Sequence, residues 1–379
     1  LTPTAYNVGS MLSIKPTSGD GDFTFSRNGD ASRVNSSGIV VAEGANLPRI
    51  NYEGFSYDGN GDIIPDSGCG IWLLEPQSTN LITQSELFSD NSWIKNNTAI
   101  TSNYSVSPSG ILNASRFLAS GNAFLYDGFS VTIGADYTIS FWVKSNGSLN
   151  NFFLHVNGNN SPTFTATDVW QRFEHTFTAV NTSHNIGIAC GLSGADVQIW
   201  GAQLEQQSYA TSYIPTSGAS NTRLQDLASG SGNASLINST EGVLYAEIAA
   251  LENTGESIRS ISLGVNGDNN QTITIRFRNQ SNTIGLFMKP LSPNNLNLST
   301  NTFDVLNFNK IALKYKSGQI ALWINGSEVI TSTNTLNVSG LNYLSFNSIG
   351  VSNFYGKVKA VAVYKEALTD AELQSLTTI

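Results

Sequence analysis

The side chains with chemistry to offer are mostly aromatic and planar-polar, and they fall into phase with one another along extended runs. Over residues 137–145, Ile139, Phe141 and Val143 share one face of an extended chain, and Ser140, Trp142 and Lys144 share the other. Over 151–157, Phe152, Leu154 and Val156 oppose Phe153 and His155. Over 170–178, Phe173, His175 and Phe177 oppose Trp170, Arg172 and Glu174, and over 197–204, Val197 and Ile199 oppose Gln198 and Trp200. One face of each run reads as core. The other mixes rings with amides and charges, which is what a sugar needs: rings meet its axial C–H groups and planar polar groups meet its hydroxyls. Trp142, His155, Arg172, Glu174 and Gln198 are therefore the candidate glycan-binding residues. The plainer reading makes Arg172 and Glu174 a solvated stripe.

Other chemistry is not proposed by any spacing. There is no G-x-S-x-G elbow, no Walker loop and no H-E-x-x-H. The three histidines, His155, His175 and His184, have no carboxylate at a diagnostic spacing. Cys69 and Cys190 lack further Cys or His at ligand spacing, which excludes zinc, and two small buried hydrophobes are preferred to a disulfide. Asp58-Gly-Asn60-Gly-Asp62 imitates the start of a calcium loop, but Ile63 stands where that loop needs Gly, so a hairpin turn is expected. No catalytic residue, metal or cofactor is expected.

Charge narrows the partners. The 379 residues carry 19 Lys and Arg against 28 Asp and Glu, a net charge of −9, with no basic run to meet phosphates. Nucleic acid is thus not an expected partner. No apolar run approaches the ~20 residues of a spanning helix, so no membrane insertion is expected. The start, LTPTAYNVGS, has neither a signal pattern nor an initiating Met, which leaves room for a preceding segment.

The elements that must position these residues are short strands. Charged residues are only 12%, and Asn, Ser, Thr and 34 Gly stand in their place, the composition of strands joined by tight turns. The expected fold class is all-β: a loop-rich N-terminal leader followed by two antiparallel jelly-roll sandwiches. The leader is residues 1–78, the first sandwich 79–228, a linker 229–239, and the second sandwich 240–379 with a short C-terminal helix. Leader runs at 23–26, 39–42 and 50–57 cannot close a core alone and should pack along the next domain or a neighbouring chain. In the stretch Gly70 to Lys95, a strand at 71–74 must stop pairing at Pro76, and Trp93 should anchor a core. First-sandwich strands are expected at 99–104, 114–118, 124–130, 137–145, 151–157, 170–178, 185–190 and 197–204. In the second, 309–332 reads as two strands joined at Ser317-Gly318. Thr369 should cap the terminal helix with Glu372 completing a capping box, and Ala367, Leu368, Leu373 and Leu376 should face the sandwich.

Two long segments bracket the first sandwich: GIWLLEPQSTNLITQSELFSDNSWIK and VQIWGAQLEQQSYATSYIPTSGASNTRLQD. They resemble the opening and closing segments of carbohydrate-binding-module-like jelly rolls in tailed-phage structural proteins, a domain type that tends to bury tryptophans at the positions of Trp170 and Trp200. FSRNGDASRVNSSG, residues 25–38, resembles a passage that precedes that domain. Lys310 to Lys314, Trp323-Ile324-Asn325-Gly326, Phe354 to Val358 and Leu368 to Leu373 are similar to a laminin-G-like, concanavalin-A-like jelly roll. The resemblance implies a fibre, spike or decoration protein on the surface of a virion. Its implied partners are copies of itself as a homo-oligomer, usually a trimer, other virion proteins and host cell-surface glycans. Within Glu247-Ile-Ala-Ala-Leu-Glu252 there is a faint likeness to the E-x-D-x-x-E strand of glycan hydrolases, with Ala249 in place of the central Asp. The reading preferred is a non-enzymatic, glycan-binding structural component. A glycan-cleaving tailspike-type hydrolase and a secreted bacterial adhesin are the alternatives.

Overall fold

A computed structural model describes residues 5–57, 63–65, 68–253, 258–348 and 352–379. It is all-β with one helix among the described residues, Asp370–Thr377. The chain divides into two compact units. One comprises Asp30–Ala42 and Gln77–Leu224; the other comprises Leu1–Gly29, Glu43–Pro76 and Gln225–Ile379.

The unit built on Gln77–Leu224 is a sandwich of two five-stranded antiparallel sheets. One runs, in spatial order, Ile94–Asn96, Ala123–Ser130, Ser183–Cys190, Asn151–Val156 and Phe164–Thr165. The other runs Ala99–Val106, Leu112–Ala119, Ala195–Glu205, Asp136–Ser145 and Gln171–Thr178. The alternation read from sequence sets the faces: Ile139, Phe141, Val143, Phe152, Leu154, Val156, Val197 and Ile199 are all fully buried in one core. Trp93 closes that core beside Phe88 and Phe141, its indole N–H donating to the Gln84 carbonyl.

The segments bracketing this sandwich form a latch between the sheet and the chain that leaves it. Asn80 is fully buried and uses its whole amide: Nδ2 donates to the carbonyls of Ala202 and Ile214, and Oδ1 accepts from Ile82 and Leu204 N–H. Gln203 Oε1 accepts the Ile214 N–H at 2.6 Å. Buried Glu205 accepts from Ser78 Oγ at 2.6 Å and from the Thr211 N–H at 2.9 Å. Gly201 sits at φ +64 where the register of Ala195–Glu205 against Asp136–Ser145 shifts, and a side chain there would press on Trp142 and Tyr213.

In the other unit, a seven-stranded sheet packs on a five-stranded one. The first runs Ser327–Ser332, Ile320–Ile324, Asn309–Lys316, Glu241–Ala250, Gly356–Tyr364, Ile71–Leu74 and Arg49–Asn51. The second runs Leu296–Thr300, Ile284–Lys289, Asp268–Phe277, Arg259–Val265 and Tyr343–Ser345. Their inner faces share one core with Trp72 fully buried between Phe23 and Phe346. Thr369 caps the helix through the expected box with Glu372, and Leu373 is fully buried with Leu368 and Leu376 beside it.

Four features differ from the sequence reading. The stretch 309–332 makes three strands, not two, because Asn325 and Gly326, at φ +48 and +81, turn the chain a second time before Ser327–Ser332. Much of the leader is structural wall: Ile71–Leu74, buried at all four positions, extends the seven-stranded sheet by pairing with Gly356–Tyr364, and the division between units falls after Pro76. Residues 229–239 are not a free linker. Ser231 is buried, its hydroxyl donating to the Gly21 carbonyl, and Ile237 lies in the core. Cys190 is buried but Cys69 is exposed, and both are free thiols. The calcium-loop imitation at 58–62 lies outside the described residues.

Candidate functional site

Four of the five candidates share the outer face of one sheet. In register, Trp142 lies between Arg172 and Trp200, Ser140 between Glu174 and Gln203, and Lys144 beside Gln198. That face is partly roofed. Trp200 is 1% exposed, packed against Tyr213 with ring centres 4.5 Å apart and planes tilted at 49°, and clustered with Val40, with Val34, Trp142 and Trp170 against it. Arg172 is committed to the chain above it, donating to the Thr211 carbonyl at 2.6 Å and to Ser140 Oγ at 2.9 Å. Glu174 accepts the Ala210 N–H at 3.4 Å. Gln198 is buried, bonded to Ser105 Oγ and Asn146. At the far end of the face Arg116 grips Asp196 in a two-pronged pair, which holds the Asp196 carboxyl below its ordinary range.

His155 stands on the other sheet, and it is not alone there. Cross-strand register aligns Ile94, Tyr126, Gly187 and His155 in one row, and Asn96, Phe124, Ala189 and Phe153 in the next. The central strand contributes only Gly187 and Ala189, so four rings stand around a low floor. Phe124 lies 4.9 Å from His155 and 6.5 Å from Phe153, and Tyr126 lies 5.9 Å from His155, all edge-on. Phe124, Tyr126 and Phe153 are half-buried and Ile94 is exposed at the edge.

One end of these rows is rich in amides. Asn160 Oδ1 accepts the Val156 N–H at 3.0 Å and lies 2.8 Å from His155 Nδ1. An oxygen already accepting can only accept again, so His155 carries its proton on Nδ1 and leaves Nε2 as an acceptor. Burial pushes the imidazole down from its ordinary value, against the bond to Asn160, which acts the other way. Asn157, Asn159 and Asn160 are exposed beside it. A half-wet row of rings next to planar amides suits C–H stacking and hydroxyl pairing together.

Phe153 and His155 were in phase in the sequence, whereas Phe124 and Tyr126 join them only through pairing with Ser183–Cys190. The signal available was the small pair Gly187 and Ala189 in a strand otherwise buried. Among the described residues, no group of three or more His, Cys, Asp and Glu is placed to hold a metal ion, and no helix is long and apolar enough to cross a membrane. Glu247 lies within Glu241–Ala250, with Ala249 in the place a hydrolase strand gives to its central acid.

Residues 234–374 match the family model described as the concanavalin A-like lectin/glucanases superfamily. No curated protein matches the chain. Among solved structures, the CBM40 of the Ruminococcus gnavus IT-sialidase bound to α2,3 sialyllactose is 19% identical, over 38% of this chain and 84% of that one, with a TM-score of 0.32. A leech intramolecular trans-sialidase is 21% identical over 38% of this chain and 24% of that one, with a TM-score of 0.31. The CBM22-1–CBM22-2 tandem of Paenibacillus barcinonensis Xyn10C is 10% identical over 77% of this chain and 98% of that one, with a TM-score of 0.28. At such scores these likenesses carry no argument about ligand or role. The fold is that of an all-β protein of two sandwiches, one of which contains residues 234–374, the stretch that matches this family model.

Proposed function

We propose that the protein is a non-enzymatic structural component of a bacteriophage virion that binds host surface glycan. The binding surface is the row of Phe124, Tyr126, Phe153 and His155 on its Gly187–Ala189 floor. The observation that carries the binding reading is that row: Phe124, Tyr126 and Phe153 held half-open to solvent on an outer sheet face, with buried His155 beside them. Rings that only filled space would be turned inward, as Phe152 is. The concanavalin A-like match over 234–374 agrees with a glycan-directed role. The virion setting rests on the sequence resemblance of the two segments that bracket the first sandwich. A shallow, solvent-lapped platform gives weak single-site affinity, and a trimeric fibre supplies the avidity that makes it useful.

The test is a glycan array with the intact chain, followed by titration of the best hit into Phe153→Ala and Tyr126→Ala. Each truncation should weaken binding about tenfold, equal to ~1.4 kcal/mol, with melting unchanged. Wild-type affinity in both variants would remove the row from consideration. Release of reducing sugar from host polysaccharide would overturn the non-enzymatic reading.

A further inference from the structure

The other sandwich carries a second surface whose chemistry is different. On the outer face of its five-stranded sheet, register places Ser260, Arg276, Gly285 and Ser299 in one row. The next row is Ser345, Ser262, Thr274, Phe287 and Asn297. The alternate residues Ile261, Ile273, Ile275, Phe277, Leu286 and Leu344 fill the core, so these rows face away from it.

We propose that Arg276 and Arg278, with Asn297, Phe287 and Ser260, form a binding site for the carboxylate of an acidic saccharide. Arg276 and Arg278 flank core-facing Phe277 and so lie on the same side of their strand. Both donate to one neutral acceptor, Asn297 Oδ1, Arg278 at 2.6 Å. The Arg276 guanidinium lies 4.9 Å over the Phe287 ring. Arg276 is only 9% exposed, yet its Nε has no partner, and no carboxylate among the described residues pairs with either arginine. Ser260, directly across from Arg276, is 1% exposed and its Oγ is also without a partner.

A buried guanidinium with no counter-ion is unfavourable, and burial together with neighbouring Arg278 draws Arg276 down to about 10. Two convergent planar forks, an aromatic plate and a spare hydroxyl match a carboxylate carried on a sugar ring: the forks take the two oxygens, the ring takes the C–H face, and the hydroxyl takes a neighbouring oxygen. The chain as a whole carries −9. Attraction to an acidic polymer therefore has to come from this local geometry and not from long-range steering. The site does not depend on the ring row of the other sandwich.

The experiment is isothermal titration of the intact chain at low salt with trigalacturonic acid, with maltotriose as the neutral probe and dextran sulfate as the sulfated one. Trigalacturonic acid should bind and maltotriose should not. Arg276→Met should weaken binding at least tenfold. Arg278→Met, at a half-exposed position that leaves folding intact, should weaken it about fivefold. Phe153→Ala should leave it unchanged. Equal affinity for maltotriose, unchanged binding in both arginine variants, or loss in Phe153→Ala would overturn the site. Binding of dextran sulfate without trigalacturonic acid would overturn its assignment to a carboxylate.

Discussion

Two pairs of arginines in the same sandwich have opposite surroundings. Arg27 and Arg49 converge on Asp226, with Glu75 taking the second fork of Arg49 at 2.7 Å. Arg27 also donates to the carbonyls of Gly29, Leu47, Glu43 and Gly44. Burial alone would lower Arg49, but the Asp226 and Glu75 carboxylates outweigh it and hold the guanidinium above its ordinary range. Arg276, buried beside another cation, is shifted the other way. The first pair joins segments nearly two hundred residues apart in sequence, and so sews early strands to the residues that precede Glu241–Ala250. The second pair reaches Asn297 on the same sheet and Gln280 two residues beyond Arg278, and braces nothing distant. The first is explained by stability, and the second is better explained by something outside the chain.

The largest effect should follow from removing the shared acid of the first pair. Asp226→Asn takes the shared acid from Arg27 and leaves Arg49 with Glu75, and breaking a buried pair by deleting one partner costs about 3–5 kcal/mol. Urea unfolding should register the loss, and amide exchange should place it at Arg49–Asn51 and Ile71–Leu74, the last two strands at one edge of the seven-stranded sheet. A wild-type midpoint would mean that Arg27 and Arg49 are no more brace-like than Arg276.

Next comes the latch in the other sandwich. Asn80→Ala would orphan the N–H groups of Ile82 and Leu204 and the carbonyls of Ala202 and Ile214, at a cost of about 1–3 kcal/mol. The residues that carry the family resemblance in the sequence, Asn80, Gln203, Glu205, Thr211 and Tyr213, are those whose polar atoms are used up internally. They report the fold, and for the same reason they are silent about a ligand. Two-residue alternation made the faces of 137–145 and 151–157 legible, because a buried face forces that pattern whatever the partner strand is. It could not say that Ile71–Leu74 would pair with Gly356–Tyr364. Nor could it bring Phe124 beside His155, or show Arg276 to lack the acid that Arg49 has. Those facts depend on pairing between strands distant in sequence. Nothing in Arg-Phe-Arg at 276–278 alone singles it out, and only its neighbours across the sheet make it unusual.

Arg276→Met sharpens the comparison from the other side. Replacing an uncompensated buried cation by an apolar chain of similar length should leave stability unchanged or raise it by up to about 1 kcal/mol. Asp226→Asn should therefore lower the urea midpoint and Arg276→Met should not. A loss with Arg276→Met as large as that with Asp226→Asn would make the two pairs equivalent.

The smallest effect belongs to His155. Its imidazole sits below 6.5 because burial disfavours the charged form, with the Asn160 bond opposing. The unfolded chain therefore takes up a proton more readily than the folded one. This stabilisation is complete above pH 6.5 and is lost as pH falls through the lower folded value. His155→Gln keeps a donor for Asn160 Oδ1 but cannot titrate, so its midpoint should fall less than wild type's between pH 7.5 and 5. The same titration bears on the ring row. Neutral His155 offers Nε2 as an acceptor, and protonation turns it into a donor carrying charge. Glycan affinity should thus decline with acid in the wild type and stay level in His155→Gln. A parallel decline in both proteins would show that the pH dependence arises elsewhere and that His155 is only a fourth wall of the row.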